Sequence, residues 1–330
     1  MNSLKEVADC LRGGKKAVIC GHAMPDGDSI GSVLAMSFLL QAIGVECYAV
    51  IADGVPAMYS FLPGANSFLR CIDLPEDCDL AVVLDCTDLN RLGDDLGKYI
   101  DRIPKVVNVD HHVSNQFFGQ CNYVDATAAA TGEIVHELVV LMGVPLSKDI
   151  AVNLYSAIVM DTGSFKFDNT TDKTHEAAAK LIRTGIDTGQ INRNLFEKKE
   201  LVHLKLLGYA MGQLETAAEG KVAWVTIPFE VMQEFGARDE HADGIINYPR
   251  TLDGVEVGML FREVSPGKFK VGFRSKSTVD VNLLAANFGG GGHPRASGCL
   301  LEGSRAEVEQ KVVDMCIKFI QEAAHKEVTL

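Results

Sequence analysis

The sequence predicts a two-part α/β protein: an N-terminal domain on a parallel sheet, a helical connector, and a smaller α/β C-terminal domain. Three observations predict it. The first 190 residues alternate short, β-branched apolar runs with longer segments of helical period, the pattern of strands joined through covering helices. A polar, proline-free helical stretch then runs from about Asp187 to Gln213. A second set of strand runs follows, interrupted by a helix and four consecutive glycines, Gly289 to Gly292. At 330 residues the chain is also longer than one hydrophobic core ordinarily organises. These signals place the domains at 1–186 and 215–330, with the connector at 187–214.

Each element has its own local reason. Lys16–Gly21, Cys47–Ile51, Leu80–Leu84 and Val106–Val109 are short apolar runs rich in β-branched residues and read as strands. Ser29–Ile43, Gly132–Met142, Lys148–Met160 and Thr174–Thr184 carry the longer period of helices. In an open parallel sheet, ligands collect outside the carboxyl ends of the strands. Here the first, third and fourth strand runs each end in His or Asp. In the second domain, Lys221–Ile227, Val255–Glu263, Lys268–Phe273 and a run near Cys299 read as strands. Helices are expected near Val281–Phe288 and over Arg305–Ala324.

Composition narrows the function classes. The chain is 47% hydrophobic and 23% charged, within the globular range, and has no apolar run near the ~20 residues of a membrane span. Charges run through the first ten residues, where a signal peptide needs an apolar core. Nine scattered cysteines without a Cys-x-x-Cys pair read as reduced thiols, so a cytoplasmic protein is expected. The net charge of −13 opposes binding of long duplex nucleic acid. That charge is segregated: residues 1–190 carry 14 Lys/Arg against 25 Asp/Glu, and residues 191–330 carry 17 against 19. Between Arg262 and Arg295 six basic residues face two acidic ones. Cations bound on one side and an anionic ligand held from the other would account for this asymmetry.

Four constellations carry chemistry. His22, Asp26 and Asp28 fall within seven residues on a Pro/Gly turn between a strand and a helix, where they can converge on cations. The plainer alternative makes Asp28 or Ser29 a helix cap. Asp85 closes a buried strand run, a place where a turn or cap residue is also common. Asp110-His111-His112 follows another buried strand, and neutral imidazole is a frequent metal ligand. Asp161 sits at a helix C-terminus, where a carboxylate opposes the macrodipole unless positive charge is near. His22, Asp26, Asp28, Asp85, His111 and Asp161 together offer four carboxylates, two imidazoles and no thiolate. That set suits two divalent ions with one carboxylate shared, and hard ions such as manganese or magnesium over structural zinc.

The ordered set His22-x3-Asp26-x-Asp28, strand-end Asp85, Asp110-His111-His112 and Asp161-Thr-Gly resembles the DHH phosphoesterase family. Gly289-Gly-Gly-Gly-His293-Pro-Arg-Ala-Ser-Gly298 is similar to the glycine-rich motif of the DHH-associated domain that accompanies it. The likeness covers essentially the whole chain and is strongest to members that degrade very short RNA and remove the 3′-phosphate from adenosine 3′,5′-bisphosphate (pAp). It implies that His22, Asp26, Asp28, Asp85, His111 and Asp161 are metal ligands, with Asp85 bridging. It also implies that Asp110 orients an imidazole and that His112 faces the substrate. Asn115 is expected to touch phosphate or sugar, and Arg274, Ser275 and His293 to hold the non-reacting phosphate, with the active site in a cleft between the domains. The implied cofactors are two divalent cations, manganese first, with magnesium or cobalt as alternatives. The implied partners are short RNA oligonucleotides, dinucleotides and pAp, with no membrane, and the chain is a candidate homodimer. Signalling dinucleotides, linear or cyclic, and a non-catalytic nucleotide sensor are the rival readings.

The glycine run has a physical reading beside this one. Successive glycines let a backbone approach phosphate and present N–H groups to it, so Gly291 and Gly292 are expected to form an anion nest, although such runs also serve as flexible links. Trp224 reads as core. His136, His175, His203, His241 and His325 read as surface or ordinary helix residues.

Overall fold

The computed structural model describes residues 1–328 and divides into two compact units, Met1–Lys198 and Lys199–Leu330. The parting falls inside the stretch of residues 187–214. In the first unit α1 (Leu4–Arg12) leads into β1 (Lys16–Cys20), α2 (Gly27–Ala42), β2 (Glu46–Val50), β3 (Leu80–Leu84), α3 (Asp94–Ile100), β4 (Val106–Asp110) and β5 (Cys121–Val124). Four helices complete it: α4 (Thr131–Leu141), α5 (Lys148–Asp161), α6 (Asp172–Arg183) and α7 (Thr188–Phe196).

The five strands form one parallel sheet in the order β2-β1-β3-β4-β5. All five residues of β3 and of β4 are buried, which explains their continuous apolar reading: helices and loops cover both faces of the sheet. Because β1 lies between β2 and β3, the chain leaves the sheet in opposite senses on the two sides of β1. The carboxyl ends of β1 and β3 therefore flank a switch point, the ordinary ligand position of such folds. Small residues bring the covering helices close. A Cβ on Gly31 of α2 would lie 2.5 Å from the Asn153 carbonyl of α5, and one on Gly132 of α4 would lie 2.6 Å from the Ala157 methyl.

The second unit begins with α8 (Leu201–Gly212), β6 (Glu215–Ala217), β7 (Val222–Ile227), α9 (Phe229–Glu234) and α10 (Asn247–Thr251). It continues through β8 (Val257–Ser265), β9 (Lys268–Ser275), α11 (Val281–Ala286), β10 (Gly291–His293), β11 (Ala296–Glu302) and α12 (Arg305–Val328). Its six-stranded sheet runs β10-β11-β9-β8-β7-β6 and is antiparallel except for the β7–β8 pair. Phe261, Phe269 and Phe273 are fully buried on this sheet, and Trp224 belongs to the same core as expected.

The α/β architecture matches the sequence prediction, with some elements unforeseen. α1, α3, α9 and α10, with β5, β6 and β10, are short or polar and carry too few periods to stand out, whereas α7 and α8 occupy the stretch expected to be helical. Of the histidines read as surface or ordinary helix residues, His136 lies in α4 and His203 in α8, and these two and His241 are buried, at 3%, 6% and 5% exposed. The side chains of His293 and His325 lie outside the described residues. All nine cysteines are free. No helix among the described residues is long and apolar enough to cross a membrane.

Candidate metal centre and phosphate site

The first unit gathers its titratable residues at the carboxyl end of the parallel sheet. β1 ends at Cys20, and Gly21 follows because any side chain there would collide with Ser29 Oγ on α2. His22 then turns inward and is buried. Its Nδ1 donates to the Ala23 carbonyl at 2.8 Å, which turns Nε2 toward Asp85 Oδ2 at 3.6 Å and Asp26 Oδ1 at 4.0 Å. Asp26 is also the N-cap of α2, accepting from the amides of Asp28 and Ser29. The cap reading and the ligand reading are thus both available to it.

His111, just after β4, repeats the pattern. Its Nδ1 donates to the Ala128 carbonyl at 3.2 Å, and Nε2 faces Asp85 Oδ1 and Asp161 Oδ2, each at 3.6 Å, and Asp28 Oδ2 at 3.9 Å. Carbonyls that fix the tautomer of an imidazole are the usual outer partners of ligating histidines. Asp28 is held by the amides of Thr131 and Gly132 at the start of α4 and by Ser32 Oγ. Asp161 ends α5. Asp85 sits between the two histidines with its two oxygens turned to different partners. It adopts φ +54°, a left-handed backbone that costs a non-glycine residue about 1–2 kcal/mol.

The electrostatics describe a cluster short of positive charge. Burial pushes Asp28 well above the usual carboxylate range, and Asp85 and Asp161 push it further. Burial raises Asp161 to about 7, partly offset by His111 and reinforced by Asp85 and Asp26. Burial opposes a charged His22, but the hydrogen bond and charge of Asp85 override it and raise the ring to about 9. His111 is raised to about 9 in the same way by Asp28, Asp85 and Asp161. Asp85 itself, despite its burial, is held below the ordinary range by His22, His112 and His111.

These residues fit divalent cations. Two groups, His22–Asp26–Asp85 and Asp28–His111–Asp161, each bring three ligand atoms within 4.8 Å of one another. The donors are all oxygen or imidazole nitrogen. The neighbouring Cys86 thiol donates to the Asp88 carbonyl and is pushed up to about 12 by burial, so it is no thiolate ligand. Such a set suits hard ions.

Asp110 and His112 form a separate pair. Asp110 is fully buried, and its Oδ1 accepts from the amides of His111 and His112 and from His112 Nδ1 at 2.6 Å. Its Oδ2 accepts from Asn115 Nδ2 at 2.6 Å. Asn115 corrects the expectation of a substrate contact. It is buried, its amide nitrogen is shared among Cys86 O, Asn108 Oδ1 and Asp110 Oδ2, and its oxygen accepts from the Phe117 amide. Asn108, missed in the sequence because it sits mid-strand, ties the same network to Val83 O and Cys86 O.

In the second unit the glycine run departs from the nest reading. The N–H groups of Gly289 and Gly290 donate to Ala286 O and Ala285 O, closing α11, and that of Gly292 donates to Asn282 Oδ1 at 2.8 Å. Gly291 and Gly292 pair with Gly298 and Ser297 in a tight hairpin. Glycine is needed there for space: a Cβ on Gly292 would lie 2.5 Å from the Ala296 carbonyl. These amides are spent within the fold. Ser275 is buried, with its Oγ 3.3 Å from Pro294 O. Arg274 is half-buried, and its Nη1 donates to Phe273 O at 2.9 Å.

Comparison with known proteins agrees with this layout. Residues 16–158 match the DHH family, N-terminal domain, and residues 219–322 match the DHHA1 domain. A bifunctional oligoribonuclease and PAP phosphatase NrnA of Thermus thermophilus is 30% identical over 99% of this chain and 94% of its own. The Bacillus subtilis protein of the same name is 30% identical over 84% of this chain and 86% of its own. The crystal structure of an exopolyphosphatase-related protein from Bacteroides fragilis superposes with a TM-score of 0.90 at 25% identity, covering 96% and 95% of the two chains. Sequence motifs, strand-end geometry and relatives converge, and the chain belongs to the DHH phosphoesterase family.

Proposed function

We propose that this chain hydrolyses very short RNA, dinucleotides and small oligonucleotides, and removes the 3′-phosphate of pAp, with two divalent cations, manganese foremost. The observation that carries the reading is Asp85, whose Oδ2 faces His22 and whose Oδ1 faces His111, so that one carboxylate serves two ligand groups. The names of the Thermus thermophilus and Bacillus subtilis relatives support the substrate class. Unpaired cysteines support a cytoplasmic setting.

His22, Asp26 and Asp85 would hold one cation, and Asp28, His111 and Asp161 the other, with Asp85 reaching both groups. When bound, such ions supply Lewis-acid charge to a phosphoryl oxygen and lower the pKa of water toward ~7. The chain's own part is orientation. Carbonyls of Ala23 and Ala128 hold both imidazoles with Nε2 inward. Asp110, fixed by Asn115, orients His112 through Nδ1, and His112 is assigned to donate a hydrogen bond or a proton to the leaving oxygen. Recognition of the non-reacting phosphate is assigned to Arg274 and Ser275 of the second unit.

The test is a panel of pAp, pApA, a 5-mer, a 24-mer and cyclic di-AMP with added Mn²⁺. Turnover of pAp and of oligomers of two to five nucleotides, faster than the 24-mer, is expected. Binding without turnover would make the protein a sensor, and preference for cyclic di-AMP would move it to the signalling-nucleotide branch.

A further inference from the structure

We propose that Asn169 is a positioning residue for the second cation group, Asp28–His111–Asp161, and that it holds Asp161 in register with the other two ligands while leaving the His22–Asp26–Asp85 group untouched. The inference rests on the two-cation reading above and adds to it a residue that shapes one group without being one of its ligands.

One short stretch of chain before and into α4 serves several of the ligands at once. The Ala128 carbonyl accepts from His111 Nδ1 at 3.2 Å, and the amides of Thr131 and Gly132 donate to the Asp28 carboxylate at 2.6 and 2.9 Å. Thr131 Oγ1 donates to Asp85 Oδ1 at 3.2 Å. This stretch is gripped at Ala129 through both of its peptide groups. Its amide donates to Glu133 Oε2 at 3.0 Å, and the same oxygen accepts from Thr174 Oγ1 of α6 at 3.1 Å. Its carbonyl accepts from Asn169, which lies in the loop between α5 and α6. Asn169 Nδ2 donates to the Ala129 carbonyl at 3.0 Å and to the Asp161 carbonyl at 3.1 Å. Both partners are carbonyl oxygens, so the donor end of the amide is the end that faces them. Asn169 thus ties the stretch that orients His111 and Asp28 to the third ligand, Asp161.

Asp161 is the ligand that needs such a tie. The Asp28 carboxylate accepts three hydrogen bonds, from Ser32 Oγ and from the amides of Thr131 and Gly132. Among the described residues no hydrogen bond holds the Asp161 carboxylate, which faces His111 Nε2 at 3.6 Å. Its direction is therefore set by its backbone. Asp161 is the last residue of α5, and the chain beyond it passes through three left-handed residues: Gly163 at φ +55°, Ser164 at +62° and Phe165 at +63°. That conformation is unfavourable for Ser and Phe and persists only where the surroundings impose it. Phe165 is held by stacking on His175 of α6, with ring centroids 5.2 Å apart, and Asn169 closes the loop back onto Asp161. The first cation group is built without this loop: His22 bonds to the adjacent Ala23 carbonyl, and Asp26 caps α2. Removing the Asn169 amide therefore releases Asp161 from the stretch that fixes its partner ligands and leaves the His22 side as it was.

The experiment titrates Mn²⁺ into the metal-free, full-length protein and follows it by electron paramagnetic resonance, so turnover plays no part. The wild type is expected to take up two equivalents with a spin-coupled signal. Asn169→Ala should weaken one binding step by about ten- to hundredfold and change the other by less than about threefold, the usual scale for a partner that orients a metal ligand. Its tight ion should give an uncoupled signal, and its melting temperature in chelator should equal that of the wild type, since the side chain is exposed. Adding His22→Ala to Asn169→Ala should abolish the remaining tight step, whereas adding His111→Ala should leave it unchanged. Asn169→Leu, which keeps the volume and lacks the donor, carries the same test if Asn169→Ala does not fold. Two coupled ions bound by Asn169→Ala as by the wild type, equal weakening of both steps, or survival of the step that needs His111 overturns the proposal and keeps the two-cation reading. A wild type that takes up no Mn²⁺ overturns both.

Discussion

The two ends of this chain solve charge in opposite ways. At the carboxyl end of the parallel sheet, carboxylates crowd together, and among the described residues imidazoles are the counter-charges that face them. At the end of β9, Arg274 donates to the Phe273 carbonyl and Arg295 to the Val279 carbonyl. The first cluster is short of cations, which divalent ions would supply, and in the second Arg274 and Arg295 have no carboxylate partner among the described residues, an anion that a phosphate would supply. The difference lies in how each is built. The acidic cluster hangs on strand ends, each residue following its own buried strand. The basic residues Arg274 and Arg295 sit at a strand end and beside a hairpin, and the hairpin depends on Gly292 having no side chain.

The largest expected effect breaks the acidic side. Asp85→Asn keeps the shape but removes the charge that serves both ligand groups, and turnover should fall by ~10³-fold or more, the scale of several kcal/mol of lost charge stabilisation. Activity within tenfold of wild type would place the shared carboxylate elsewhere. On the basic side, Arg274→Ala should raise KM for pApA about ten- to hundredfold and change the hydrolysis of a simple aryl phosphodiester little, since that substrate lacks the second phosphate. Equal losses on both substrates would move Arg274 to the reacting phosphate or to folding.

A smaller effect separates the hairpin from a nest. Gly292 has φ +149° and no room for a Cβ, so Gly292→Ala should lower stability by about 1–3 kcal/mol in chemical denaturation. Unchanged stability with lost phosphate binding would restore the nest. The smallest effect compares histidines. His22 and His111, among carboxylates, are raised to about 9, whereas burial and then Lys180 lower His136 to about 4. His136 Nε2 is buried without a hydrogen-bond partner. His136 stays neutral when folded but takes a proton in the unfolded chain below ~6.5, so its contribution is present above that pH and lost as pH falls toward 4. His136→Leu should therefore gain stability relative to wild type over that window, by up to about 3 kcal/mol. Parallel stability curves between pH 7 and 4 would contradict it.

Much of the first unit was legible in the sequence because its chemistry is local. Strand and ligand are adjacent at Leu84–Asp85 and Asp110–His111, and a parallel sheet brings strand ends together without further instruction. Asn115 was misread because its partners Cys86, Asn108 and Asp110 come together only through β3–β4 pairing. The glycine run was misread for a related reason: whether an amide is free is a matter of hydrogen-bond accounting, and Asn282 and the carbonyls of Ala285 and Ala286 are invisible as acceptors until the hairpin forms. The buried His136 looked ordinary because nothing beside it in sequence announces burial.

The central claim is that Asp85 joins two cation sites into one centre. Its most direct test is the manganese content and magnetic coupling of the purified protein, reconstituted with Mn²⁺ and desalted, for wild type and Asp85→Asn. The account predicts two equivalents per chain with a spin-coupled electron paramagnetic resonance signal in the wild type. In Asp85→Asn it predicts at most one equivalent and an uncoupled signal, with folding intact by circular dichroism. Two coupled ions retained in Asp85→Asn, or a single equivalent in the wild type, would contradict it.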